Sequence, residues 1–183
     1  MVKIKKHIKL SFKNSSEITE YYRSMQIDYP KFFKMDNLSK LGFLASEILL
    51  KDEENRFAPT ENMAIIGFNC SSSLEADMQY QATIQNNDNY FPSPSLFVYT
   101  LPNIVLGEIA IRNNILGETS FYICKDFDAK QIVRTVRTVF CDKTTTVALV
   151  MWVEHSDVFM VLVGSGKGDV EFSENQLKVL YYT

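Results

Sequence analysis

The sequence predicts a layered α/β domain with a mostly parallel sheet and one antiparallel strand. Short apolar runs alternate with helical patterns along the chain, which is typical of parallel strands joined by crossover helices. The run from Met63 to Phe68 is continuously apolar, as expected for a central strand covered on both faces. Two further apolar runs, 146–153 and 157–163, flank a short polar turn and predict a closing hairpin.

Length and composition indicate one globular domain. The chain has 183 residues, of which 46% are hydrophobic and 22% charged, so it can bury a core of its own. The net charge of −3 argues against a general nucleic-acid binder, which carries a concentrated basic excess. We divide the chain into an N-terminal strand and helix extension (1–34), a main domain (35–170) and a polar C-terminal tail (171–183).

The N-terminal third contains a strand and two helices. Val2, Ile4, Ile8 and Leu10 alternate with basic residues, which predicts an amphipathic edge strand whose lysines oppose edge-to-edge pairing. A short polar helix follows over about 16–25, capped by Ser15 or Ser16. The next helix opens at Asp36 or Asn37 and buries one apolar face: Leu38, Leu41, Ala45, Ile48 and Leu49.

Three more helices and a strand are predicted in the middle of the chain. Ser72-Ser-Leu-Glu75 has the capping-box pattern and starts a helix, after which Pro92 and Pro94 hold an extended segment. The helix after Pro102 is apolar nearly all round and is predicted to be buried. A strand at 119–124 then leads to a helix capped by Asp128. The glycine-rich segment 164–168 lacks the residues of a phosphate loop and predicts a turn.

The cysteines and the polar residues predict neither a metal site nor a cofactor. Cys70, Cys124 and Cys141 lie far apart without CxxC spacing, which excludes a zinc motif and a disulfide framework. The basic N-terminus lacks the apolar core of a signal peptide, and no apolar run approaches the roughly 20 residues that span a bilayer. We therefore expect a cytoplasmic protein with reduced thiols.

Four segments in order resemble the N-terminal half of β-ketoacyl synthases in the thiolase-like superfamily. They are Met35-Asp36 before a helix, the strand 63–68 running into Asn69-Cys-Ser-Ser-Ser-Leu-Glu75, the stretch 90–117 with its proline-rich loop, and the closing hairpin. The chain is most similar to the short chain-length-factor-like members of aryl polyene, flexirubin and dialkylresorcinol gene clusters. This resemblance implies half of a thiolase-like α/β/α fold, with a mixed, mostly parallel five-stranded sheet that ends in an antiparallel hairpin.

The nucleophile turn departs from the family pattern. Where condensing enzymes carry Thr-Ala-Cys-Ala, this chain reads Ile123-Cys-Lys-Asp-Phe-Asp-Ala129, so that Asp126, Phe127 and Asp128 occupy the degenerate nucleophile region. Two carboxylates there oppose a thiolate, which leaves Cys124 as a weak candidate nucleophile. The family's histidine pair belongs to a C-terminal half for which we find no counterpart in this sequence, and neither His7 nor His155 is expected to act as a general base.

The resemblance implies a non-catalytic, chain-length-factor-like subunit of fatty-acid or polyketide-type acyl chain biosynthesis. It would dimerise with itself or with an active ketosynthase through the strand Thr119, Ser120, Phe121, Tyr122 and Ile123. The basic residues Arg23, Lys31, Lys34 and Lys40 are candidate contacts for an acyl carrier protein. Two alternatives stay open: an active 3-oxoacyl-[acyl-carrier-protein] synthase or acyltransferase that uses Cys124, and a module that binds an acyl chain.

Overall fold

The computed structural model describes residues 1–166 and 170–183, which form one six-stranded sheet with helices on both faces. The strands are β1 (Val2–Ser11), β2 (Met63–Asn69), β3 (Thr119–Ile123), β4 (Val147–Glu154), β5 (Asp157–Ser165) and β6 (Val170–Glu171). The helices are α1 (Ser15–Ser24), α2 (Asn37–Leu49), α3 (Leu74–Ile84), α4 (Pro94–Val98), α5 (Ile104–Asn113), α6 (Ala129–Val139) and α7 (Glu174–Tyr182). The strand order is β3-β2-β4-β5-β1-β6.

The predicted α/β class and the closing hairpin are confirmed, but the sheet is larger and more antiparallel than expected. β2 lies parallel to β3 and β4, whereas β4 with β5, β5 with β1, and β1 with β6 pair antiparallel. The expected five strands become six because β1 and the short β6 extend the sheet beyond the hairpin. The sheet is therefore mixed, as expected, but antiparallel pairings outnumber parallel ones, so it is not mostly parallel.

Two hydrophobic layers enclose the sheet. α1, α2 and α5 cover one face, where α2 packs against β1, β4 and β5. α6 and α7 cover the other face, where Val136 and Leu177 are buried against β2, β4 and β5 side chains. None of the helices within the described ranges is both long enough and apolar enough to cross a membrane.

A β-bulge at Lys5 divides the apolar residues of β1 between the two layers. Ile4 pairs with Val163 and Lys6 pairs with Leu162, so Lys5 has no partner in the register. As a result Ile4 packs on the α6 side of the sheet, whereas Ile8 and Leu10 pack on the α2 side. The sequence alternation predicted one common face, which is wrong because one inserted residue exchanges the faces of a strand.

Several local predictions are also corrected. Asn14, rather than Ser15 or Ser16, caps α1 by accepting from Glu17 N at 3.1 Å, whereas Asp36 caps α2 as predicted. Ser73 precedes α3 but donates its hydroxyl to Thr100 O at 2.6 Å instead of capping the helix. The segment predicted to be extended at Pro94 forms the short helix α4.

The predicted polar tail is an integral part of the fold. It contains α7, and Phe172 and Leu177 bury their side chains beneath it. β1, in the N-terminal extension, likewise lies inside the sheet between β5 and β6 and is not its outermost strand. In the segment 164–168, which was predicted to be a turn, Gly164 and Ser165 instead belong to β5, and residues 167 and 168 lie outside the described residues.

Gly42 sets how closely α2 can pack, and its replacement provides a first test of the fold. A Cβ atom at this position would lie 2.5 Å from Val105 Cγ2 and 3.0 Å from Met151 Sδ. We expect Gly42→Ala to lower the free energy of unfolding by about 1–3 kcal/mol in urea denaturation, because α5 must move away. Gly107→Ala is the matched control, since nothing lies within 4 Å of the added atom and helix propensity favours alanine. Equal stability of Gly42→Ala and the wild type would contradict the close packing.

Candidate functional site

The candidate residues meet at one edge of the sheet, where the parallel strands end. Cys70 follows β2, Cys124 follows β3, and Glu154 is the last residue of β4. Ligands of open α/β sheets bind at this edge. Cys124 lies one residue beyond the strand on which it was expected, and its N–H donates to Asn69 O at 2.8 Å.

The start of α6 is occupied by the chain's own carboxylate. Asp128 is the N-cap, and its Oδ1 accepts from Lys130 N at 2.9 Å and from Gln131 N at 3.0 Å. Free N–H groups at a helix start are the feature that stabilises a thiolate or an oxyanion. Because Asp128 already holds two of them, this helix start is satisfied without a substrate.

Phe127 belongs to an aromatic cluster instead of an open turn. Its ring stacks on Tyr181 with centroids 3.6 Å apart and an interplanar angle of 5°. Trp152 and Phe159 contact the same ring edge-on, at centroid distances of 5.4 and 6.2 Å. α7 therefore covers Phe127, while Asp126 and Asp128 remain exposed beside it.

Both thiols at this edge have a raised pKa. Burial raises the pKa of the Cys124 thiol, and the carboxylates of Asp128 and Asp126 raise it further. Burial also raises the pKa of the Cys70 thiol, assisted by Glu154 and Asp126. A raised pKa reduces the thiolate fraction near neutral pH, which is the opposite of what a catalytic cysteine requires.

Glu154 is a site residue that the sequence analysis missed. One of its carboxylate oxygens accepts from Cys70 N at 2.6 Å and from Ser71 N at 3.2 Å, and the other lies 3.3 Å from His155 Nε2. The Glu154 carboxylate thus accepts hydrogen bonds from the N–H groups that follow β2, as the Asp128 carboxylate does at the start of α6. The sequence feature that could have indicated Glu154 is an acidic residue at the end of the strand adjacent to β2.

Alkylation rates test the state of the thiols. We expect iodoacetamide at pH 7.5 to modify Cys70 and Cys124 at least about tenfold more slowly than the exposed Cys141, because the raised pKa leaves less thiolate. Their rates should still increase at pH values where an ordinary thiol has reached its plateau. Peptide mass spectrometry measures all three sites in one sample, and Cys141→Ser identifies the fast component. Rapid modification of Cys124 by iodoacetamide, an acyl thioester or a cerulenin-like electrophile would contradict the raised pKa of its thiol.

The strand named as an interface lies at the outer edge of the sheet. β3 pairs only with β2 among the described strands. Phe121 lies against Gly67, where an added Cβ would come within 2.6 Å of its ring. Ser120 and Tyr122 are half-buried, Thr119 is exposed, and the side chain of Ile123 is 51% exposed.

The four basic residues proposed as carrier-protein contacts have different surroundings. Lys31 Nζ lies 2.7 Å from Oε2 of the buried Glu108, so it is engaged in an ion pair. Arg23 and Lys40 lie over aromatic rings, those of Phe33 and Phe32 respectively. Lys34 is exposed. Among the described residues no group of three or more histidine, cysteine or acidic side chains is arranged to hold a metal ion.

Comparison with solved structures identifies the fold. No protein-family model matches the chain, and no curated protein matches it significantly. A ketosynthase (ApeO) in complex with its chain length factor (ApeC) from Xenorhabdus doucetiae matches 99% of this chain and 90% of that chain, with a TM-score of 0.68 and 12% identity. The ishigamide ketosynthase/chain length factor matches 90% of this chain and 62% of that chain, with a TM-score of 0.71 and 15% identity. The chain therefore has the α/β fold of these ketosynthase and chain length factor structures.

Proposed function

We propose that this protein is a non-catalytic, chain-length-factor-like subunit that pairs with an active ketosynthase in fatty-acid or polyketide-type acyl chain biosynthesis. The observation that carries the proposal is the blocked start of α6, where Asp128 holds the N–H groups and Phe127 is packed beneath Tyr181. On a fold shared with ketosynthase and chain length factor assemblies, this arrangement favours a supporting subunit over a condensing enzyme.

The open edge of the sheet supports pairing with another subunit. β3 presents unpaired backbone groups, which proteins rarely leave exposed along an apolar surface. Ile111 on α5 and Leu116 in the loop before β3 are 68% and 60% exposed, although α5 was expected to be fully buried. Gly107 on the same helix has open space above it. A partner that continues the sheet past β3 would cover these positions.

Co-expression tests the proposal. The chain, with an affinity tag on it alone, is expected to retain an untagged ketosynthase of the same organism, and native mass spectrometry should give a one-to-one complex. Condensation of an acyl group on a carrier protein is expected only when the ketosynthase is present. Condensing activity of the isolated chain would reject the proposal, and so would its recovery without any ketosynthase.

Two finer points belong to the same proposal. Arg23 and Lys34 are exposed cations on the surface of the N-terminal segment, and they are the better candidates for contact with an acyl carrier protein. The three free cysteines suit the cytoplasm, where thiols stay reduced. If the protein were instead an acyl-chain-binding module, lipid would remain bound in the purified chain and native mass spectrometry would detect its mass.

A further inference from the structure

A small apolar cavity opens beside the start of α3, apart from the thiols. Its volume is about 260 Å³, and Leu38, Leu74 and Met78 form much of its wall. It lies on the α2 side of the sheet, because Leu38 packs with that layer, whereas Cys70 and Cys124 pack with the α6 layer. No thiol lines the cavity, but Ser71 and His155 do, and both also contact Glu154, so the cavity lies beside the end of the sheet where that carboxylate is held.

The cavity walls are unusually exposed for large apolar side chains. Leu74 is 54% exposed and Met78 is 67% exposed. Pockets that enclose small-molecule ligands usually measure about 300–1,000 Å³. This cavity is smaller than that and is open to solvent. Its volume is suited to one large apolar side chain.

Carboxylates surround the opening. Asp36 and Glu75 both line the cavity, and Asn37 Nδ2 donates to Glu75 Oε1 at 2.8 Å and fixes this carboxylate at the rim. Lys40 interacts with Asp36 and Glu75 but lies partly buried, and burial lowers its pKa. The carboxylates of Asp36 and Glu75 make this part of the rim acidic, whereas His155 lines the rim as well and Lys40 lies close to both carboxylates.

We propose that this cavity binds a partner protein through one large apolar side chain flanked by lysine or arginine. An apolar anchor that enters a pocket and a charged rim around it are the usual features of a protein-binding hot spot. The acidic rim selects cationic neighbours and disfavours acidic ones. This surface is additional to the β3 edge, so it adds a second interaction to the proposed function.

Peptide binding to the isolated chain tests this surface. A pentapeptide Gly-Lys-Phe-Lys-Gly is titrated into isotope-labelled protein and the backbone amide signals are followed by NMR. Saturable shifts are expected at Leu74 and Met78, with weaker binding at high salt. The peptides Gly-Glu-Phe-Glu-Gly and Gly-Lys-Gly-Lys-Gly lack the cations and the anchor respectively, and each should bind at least about tenfold more weakly.

Met78→Lys provides the decisive variant. It is expected to weaken binding of the lysine-flanked peptide by at least about tenfold, because it removes an apolar wall and repels the cations. Val179→Lys, at an exposed position on α7, is the matched control and should bind as the wild type does. Equal binding by Met78→Lys, equal binding of the glutamate-flanked peptide, or no shifts at millimolar peptide would each overturn the proposal. The ketosynthase is absent from this experiment, so its pairing does not affect the outcome.

Discussion

Glu47→Ala is expected to lower the free energy of unfolding by about 3 kcal/mol, because it leaves two partly buried arginines without their anion. Glu47 lies on α2 and its side chain is only 4% exposed. It forms an ion pair with Arg56, and Arg112 Nε donates to its Oε1 at 3.0 Å. A charge deprived of its partner inside a protein costs far more than the same loss at the surface.

The other groups around the two arginines do not replace the negative charge of the Glu47 carboxylate. Arg56 Nε donates to Asn113 Oδ1 at 2.6 Å, and the Arg112 guanidinium lies about 5 Å from the rings of Tyr29 and Phe57. Burial lowers the pKa of Arg56, and the Glu47 carboxylate opposes that shift. Without Glu47, the two guanidinium groups would repel each other in a confined space.

Chemical denaturation measures this effect against a matched control. Glu174→Ala removes the partner of Lys178, with which Glu174 forms a 2.7 Å ion pair at the surface. Exposed pairs contribute about 0–1 kcal/mol, so this variant should remain close to the wild type. If the two alanine variants had the same urea midpoint, the Glu47 cluster would have no special structural role.

The regular features of the fold follow directly from the sequence. Asp36 before an apolar helical stripe gives the start of α2, and the continuous apolar run at 63–68 gives the central strand β2. The hairpin of β4 and β5 follows from two apolar runs around a polar turn. These elements are predictable because the local pattern and the tertiary environment favour the same structure.

The remaining features depend on contacts that local patterns do not encode. The bulge at Lys5 inserts one residue without changing the composition of β1, yet it exchanges the faces of the strand. Phe127 turns inward because Tyr181, more than fifty positions later, stacks on it. Glu47 lies within a helix predicted to bury one face, but α5 and the sheet enclose nearly the whole helix, so its charge is buried too. The degenerate residues were thus found from the sequence, but the helix that covers Phe127 was not.

The pairing role of β3 can be tested at the backbone. Ile65 N donates to Glu118 O at 2.9 Å and Cys124 N donates to Asn69 O at 2.8 Å, so both ends of this ladder face β2. Because backbone groups alternate in direction along a strand, the N–H groups of Thr119, Phe121 and Ile123 point to the open edge. A partner strand would accept hydrogen bonds from these groups.

Ile123→Pro removes one of these edge donors and leaves the ladder to β2 intact, since proline lacks an N–H and is tolerated only at such edges. We expect it to weaken association with the ketosynthase, or with a second copy, by at least about tenfold in analytical ultracentrifugation. Ile123→Ala keeps the N–H and loses only a half-exposed side chain, so it should associate much more strongly than the proline variant. An unchanged melting temperature of Ile123→Pro would show that the fold persists. Association of both variants at the wild-type strength would remove β3 as the interface and leave the exposed face of α5 as the alternative contact.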